Sequence, residues 1–157
     1  MTAYSADQTA GRSVGRTNVQ KAALAVGVVF LLVGVLGFIP GITTNYDQLE
    51  FASADSEALL LGLFQVSILH NIVHLLFGVL GLVMARSVSG ARTYLVFGGA
   101  IYLVLFLYGL LVGQDSAANF IPVNTADDIL HLLLGIGMIA LGLVLTRRRN
   151  DVTAAAG

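Results

Sequence analysis

The chain has 157 residues, 57% of them hydrophobic and 11% charged, with a formal net charge of −1 and a mean hydropathy of +0.87. A soluble globular domain carries roughly 25% charged residues, so the composition argues against a water-soluble fold, and no run of like charge is long enough to engage nucleic acid. Cysteine and tryptophan are absent, which rules out disulfides, thiolate metal sites and cysteine nucleophiles.

Met1 to Gln20 is rich in Ser, Thr, Gly and Ala with scattered charge, reads as a flexible cytoplasmic tail, and is assigned no function. An uncharged apolar stretch from Ala22 to Ile39, ended by Pro40 and Gly41, has the length needed to cross ~30 Å of hydrocarbon. Arg12, Arg16 and Lys21 precede it, as basic residues precede a signal peptide. Its apolar core nevertheless exceeds the roughly 7 to 15 residues of a signal h-region, and the one Ala-x-Ala site, Ala52 to Ala54, lies well beyond its end. It is therefore expected to be a retained anchor.

Gly41 to Glu57 forms a first outer loop with Asp47, Glu50, Asp55 and Glu57 and no Lys or Arg. These acids lack the Asp-x-Asp-x-Asp-Gly order of a calcium loop and read as a solvated face. A second apolar stretch, Leu59 to Ala85, is longer than a span needs, so its start at Leu59 to Phe64 is expected to lie along the membrane surface or to tilt strongly. Arg86 to Arg92 is a tight basic turn, helix three covers about Tyr94 to Val112, and a second outer loop holds Asp115, Asn119, Pro122 and Asn124. Helix four covers about Ile129 to Leu145 and is stopped by Arg147, Arg148 and Arg149. The transmembrane domain is thus 21–147, and 148–157 is a second cytoplasmic tail.

All eight basic residues (Arg12, Arg16, Lys21, Arg86, Arg92, Arg147, Arg148 and Arg149) fall on one side of this four-helix arrangement. The positive-inside rule makes that side cytoplasmic, so the expected location is the plasma (inner) membrane, multi-pass, with both termini in the cytoplasm. An internal repeat is also visible. Phe38-Ile39-Pro40 follows helix one as Phe120-Ile121-Pro122 follows helix three, and His74-Leu75-Leu76-Phe77-Gly78 in helix two returns as His131-Leu132-Leu133-Leu134-Gly135 in helix four. The expected fold is all-α, an integral membrane antiparallel four-helix bundle built from two similar helical hairpins in the same orientation.

Gly37-Phe38-Ile39-Pro40-Gly41, the pair His70-Asn71 with His74-Leu75-Leu76-Phe77-Gly78, and Asn119-Phe120-Ile121-Pro122 ahead of His131 resemble domain-of-unknown-function family 4383. The resemblance covers about Lys21 to Leu145. It implies a small, largely actinobacterial four-span membrane protein and carries no activity with it.

Ser67, His70, Asn71, His74, Gly78, Gly81 and Ala85 recur at three- and four-residue steps and share one helix face. Asp128, His131, Gly135 and Gly142 repeat the pattern in helix four. The glycines of the stripes, Gly34, Gly78 and Gly135 among them, are expected to be seams of close helix packing, and Gly109 to Gly113 is weak evidence for dimerisation. Counting ~1.5 Å per residue from the flanking arginines puts His70, Tyr108 and His131 about 24 Å, and His74 about 18 Å, from the cytoplasmic edge. Asp127 and Asp128 lie just above.

Ionisable side chains inside a membrane are costly and mark a candidate site. Three readings stand. In the first, the histidines, Asn71 and Asp128 hydrogen-bond across helices and fix register, which suits a small structural or accessory membrane protein without a cofactor. In the second, His70 and His74, spaced i, i+4, join His131 and Asp128 or Asp127 around a transition metal, or His74 and His131 ligate haem. In the third, the same residues relay protons or pass a small solute in an oligomer. Among partners, the lipid bilayer is expected under all three, and a homo-oligomer or a membrane protein partner is open. No nucleophile elbow, zinc-protease motif, phosphate loop or dinucleotide fingerprint is present, so the chain is expected not to be an enzyme.

Overall fold

A computed structural model describes residues 15–112, 116 and 118–155, with backbone alone from residue 147 onward. Arg12, Gly113, Asp115 and the side chains of Arg147, Arg148 and Arg149 lie outside the described residues. The fold class is all-α. Helix α1 is Asn18–Leu36, α2 is Ile68–Met84, α3 is Val88–Leu111 and α4 is Thr125–Ala155. Helices α1, α3 and the Thr125–Thr146 part of α4 are long and apolar enough to cross a membrane, and they make the chain a membrane protein.

The helix ends differ from the sequence expectation for local reasons. Helix α1 starts inside the supposed tail because the Gln20 side chain accepts from the Thr17 N–H at 3.0 Å, which satisfies a donor that a helix start leaves free. The amide of Gln20 also donates to the carbonyls of Ala85 and Arg86, each at 3.1 Å, so this residue ties the start of α1 to the end of α2. Ser87 caps α3 by accepting from the Gly90 N–H at 3.0 Å. Most of the basic turn is therefore the first turn of α3. Helix α4 begins four residues early, at Thr125, and runs through the arginines to Ala155, because arginine is a good helix former and ends an apolar span without ending a helix.

The largest correction concerns Leu59 to Phe64, which is not a helix. Strands β1 (Thr43–Thr44), β2 (Leu59–Leu60) and β3 (Phe64–Gln65) form a small antiparallel sheet in that order, with Thr43 opposite Leu60 and Leu60 opposite Phe64. Between β2 and β3 the chain turns through Leu61 (φ 56°) and Gly62 (φ 67°). Two left-handed residues in succession cannot continue a helix. Ser67 then accepts from the His70 N–H at 3.1 Å and sets the start of α2.

Helix α1 packs chiefly on α2, and α3 on α4, with a lesser seam between α1 and α3 and thinner ones between α2 and α3 and between α1 and α4. The core runs through Val19, Ala23, Phe30, Tyr94, Leu95, Tyr102 and Met138. A second cluster of Ala58, Leu60 and Val66, packed on Val33 and Leu36, seats the sheet on the end of α1. Large apolar side chains such as Leu32, Leu76, Phe97, Val104 and Leu133 point outward and are exposed.

Candidate functional site

The polar residues of the candidate cluster face inward. His70, Asn71 and His74 of α2 are 6%, 1% and 7% exposed, and Asp127, Asp128 and His131 of α4 are 2%, 6% and 3% exposed. The i, i+4 spacing of His70 and His74 stacks their rings with centroids 4.5 Å apart, and His74 Nδ1 donates to the His70 carbonyl at 3.0 Å. Phe30 of α1 meets His74 edge-on at 5.6 Å, Tyr102 of α3 meets His131 at 5.2 Å, and Phe30 and Tyr102 stack on each other at 5.3 Å.

The two aspartates diverge, because adjacent residues on a helix point about 100° apart. Asp127 turns to the sheet. Its carboxylate accepts from the backbone N–H of Gln65 and of Asn124, both at 3.0 Å. Asn124 returns the bond by accepting from the Asp127 N–H at 3.0 Å, and its amide donates to the Leu63 carbonyl at 2.9 Å. Asp128 turns to α3, where its carboxylate fills the space that a side chain on Gly109 would occupy, just as the Asn71 amide fills the space beside Gly37 of α1. Neither amide atom of Asn71 has a hydrogen-bond partner, and neither does Asp128 Oδ1. The Tyr108 hydroxyl donates to the Ala118 carbonyl.

These contacts come in matched pairs. A Cβ on Gly27 would lie 3.0 Å from the Gly78 carbonyl oxygen, and one on Gly99 2.7 Å from that of Gly135. Gly78 abuts Leu31 and Gly135 abuts Leu103. Gly27, Phe30, Leu31 and Gly37 thus recur with the same internal spacing as Gly99, Tyr102, Leu103 and Gly109, while Ser67, Asn71, His74 and Gly78 recur as Asn124, Asp128, His131 and Gly135. By contrast, Phe38-Ile39-Pro40 lies just after α1, whereas Phe120-Ile121-Pro122 lies just before α4. The two Phe-Ile-Pro strings therefore hold different places in the fold.

His70, His74 and His131 are brought together as the shared wall of two cavities. One, of about 100 Å³, lies under the β2–β3 hairpin and is also lined by Val33, Leu36, Asp127 and Leu134. The other, of about 150 Å³, is also lined by Val73, Ile101, Tyr102, Leu105, Tyr108 and Val123. Asn71 and Asp128 line neither. Among the described residues no three His, Asp or Glu side chains are grouped so as to hold a metal ion. Sequence reasoning missed Gln20, Phe30, Gln65 and Tyr102. Gln65 had a readable signal, since it precedes Ser67 as Pro122 precedes Asn124, and Phe30 and Tyr102 had one in their matched spacing from Gly27 and Gly99.

This all-α, apolar architecture with an inward polar face is that of a membrane protein. The chain belongs to the family described as Domain of unknown function (DUF4383), which matches residues 20–144. No curated protein and no solved structure matches it.

Proposed function

We propose that the chain is a four-span antiparallel helical bundle of the plasma membrane, made of two copies of one helical hairpin, with a structural or accessory role and no catalysis. The observation that carries this reading is how the polar residues are used. Asn71 and Asp128 seat in glycine notches of the neighbouring helix and Asp127 clamps the outer hairpin, so much of the cluster braces the fold. Nothing in it pairs a nucleophile with a base. The duplication draws support from the matched contacts Gly27 with Gly78 and Gly99 with Gly135. Helix α2, at 17 residues, is about 25 Å long and spans with the help of flanking polar residues.

The basic residues put the α2–α3 turn in the cytoplasm. Because the chain has no cysteine, single cysteines give a clean readout. In intact cells, a membrane-impermeant maleimide is expected to label Asp55→Cys, and to label Ser89→Cys only after the membrane is broken. The opposite pattern would invert the topology.

A second reading is favoured by two buried ring nitrogens without partners, Nδ1 of His70 and of His131. These imidazoles suit a transition metal as a two-nitrogen set completed by ligands from outside the chain, because among the described residues no third His, Asp or Glu is grouped with them to hold an ion. Haem suits the site less, since cavities of about 100 and 150 Å³ fall below the roughly 300 Å³ at which cofactor pockets begin. Stoichiometric metal in the purified protein, lost in His131→Ala, would establish this reading. Protein free of metal, with no visible band, would leave the bracing role.

A further inference from the structure

The two cavities share the three histidines, and only the smaller has a carboxylate, Asp127, on its wall. Asp127 holds the place in α4 that His70 holds in α2, three residues after the cap residues Asn124 and Ser67. At Asp127 the protein closes its own hydrogen bonds, because Gln65 donates its backbone N–H. The residue in the matching place before α4 is Pro122, which has no N–H to give. It turns its carbonyl to the His70 ring instead, and His70 Nδ1 is left buried and without a partner, as is Nδ1 of His131. Both imidazoles line the larger cavity, whose other walls are mainly apolar, with Val73, Ile101 and Leu105.

We propose that this cavity binds a phenol-class molecule, an uncharged planar six-membered ring bearing a hydroxyl, with His70 and His131 hydrogen-bonding the oxygen. Size, charge and bonding each narrow the choice. An apolar cavity of about 150 Å³ admits a benzene ring, and this one has that volume. No Lys, Arg or carboxylate lines it, so a charged ligand would be buried unpaired at high cost. A hydroxyl donates one hydrogen bond and accepts others, so it satisfies two imidazole nitrogens of which at least one carries its proton. The cavity lies at the thinner seam between α2 and α3, through which a lipid-dissolved ring would arrive. That route rests on the membrane placement proposed above, whereas the binding site itself does not.

The three histidines make the test local. In protein labelled with ¹⁵N at histidine and held in lipid nanodiscs, phenol is expected to shift ring nitrogens saturably, with His131→Gln identifying one set. Benzene, nearly the same size, is expected to bind at least tenfold more weakly. Val73→Phe fills the cavity and should abolish the phenol response, and Ile101→Phe serves if the first variant loses the native ring-nitrogen spectrum. A shift that does not saturate, equal affinity for phenol and benzene, or a full response in a natively folded filled variant would overturn the proposal. An inverted or soluble topology would appear in the maleimide pattern and leave these shifts untouched, so the two failures are distinguishable.

Discussion

Replacing Gly99 with leucine is expected to cost the fold heavily at a helix seam, and Gly27→Leu is expected to do the same at the matching one. A Cβ on Gly99 would already sit 2.7 Å from the Gly135 carbonyl oxygen and 3.0 Å from the Ile139 nitrogen, and one on Gly27 3.0 to 3.2 Å from the backbone of Gly78 and Gly81. The obstacle is backbone on the facing helix, so rotamer changes cannot relieve it. The helices must move apart along the two seams that hold each pair together. Overpacking typically costs 1 to 3 kcal/mol, and an unrelieved backbone clash belongs at the top of that range. At about 2 to 4 °C per kcal/mol for a chain of this size, the loss is a fall of roughly 6 to 12 °C in the unfolding temperature in detergent. Gly137 is the internal control, because nothing lies within 4 Å of its Cβ position. Gly137→Leu should leave the midpoint unchanged or raise it slightly, since glycine inside a helix is worth roughly 1 kcal/mol less than other residues. Equal midpoints for Gly99→Leu and Gly137→Leu would remove glycine contact as the basis of pairing.

The same contrast explains how much of this molecule its sequence discloses. The histidine face of α2 and the echo of His74 to Gly78 in His131 to Gly135 were legible because helical spacing is a property of the chain alone. Boundaries were not, because an apolar chain lacks the change of polarity that marks helix ends in soluble proteins. Leu59, Leu60 and Phe64 look like the continuation of the α2 stretch, and only Gly62 and Ser67 betray the hairpin. The choice between the aspartates was readable in principle. Asp127 and His131 are spaced i, i+4 as His70 and His74 are, which puts Asp127, not Asp128, on the wall of the histidine cavity. Which polar groups find partners depends on backbone contributed by the sheet, and no helical pattern foretells that the Gln65 N–H reaches Asp127.

That bond supports the second large prediction, a divergence between neighbouring carboxylates. Asp127→Ala is expected to destabilise the β2–β3 end of the helices by about 1 to 3 kcal/mol, because the N–H groups of Gln65 and Asn124 lose their acceptor where little water replaces it. A carboxylate in the first turn of α4 also favours the helix dipole, and that contribution goes with it. Asp127→Asn keeps an acceptor oxygen and should fall between the parent and the alanine variant. Asp128→Asn should be almost silent. Its Oδ1 has no partner to lose, and Asn71 already shows that an amide fits beside the matching glycine, Gly37. Amide exchange at Gln65 and Asn124 reads the difference directly. Asp127→Ala should speed both sites and expose the β2–β3 hairpin to protease, while Asp128→Asn leaves both slow. Were Asp128→Asn to release the hairpin as Asp127→Ala does, the clamp would be a property of charge at the head of α4 and not of one carboxylate meeting two backbone donors. With the clamp intact, the hairpin is what roofs the smaller histidine cavity, so its release would also be read by the imidazoles beneath it.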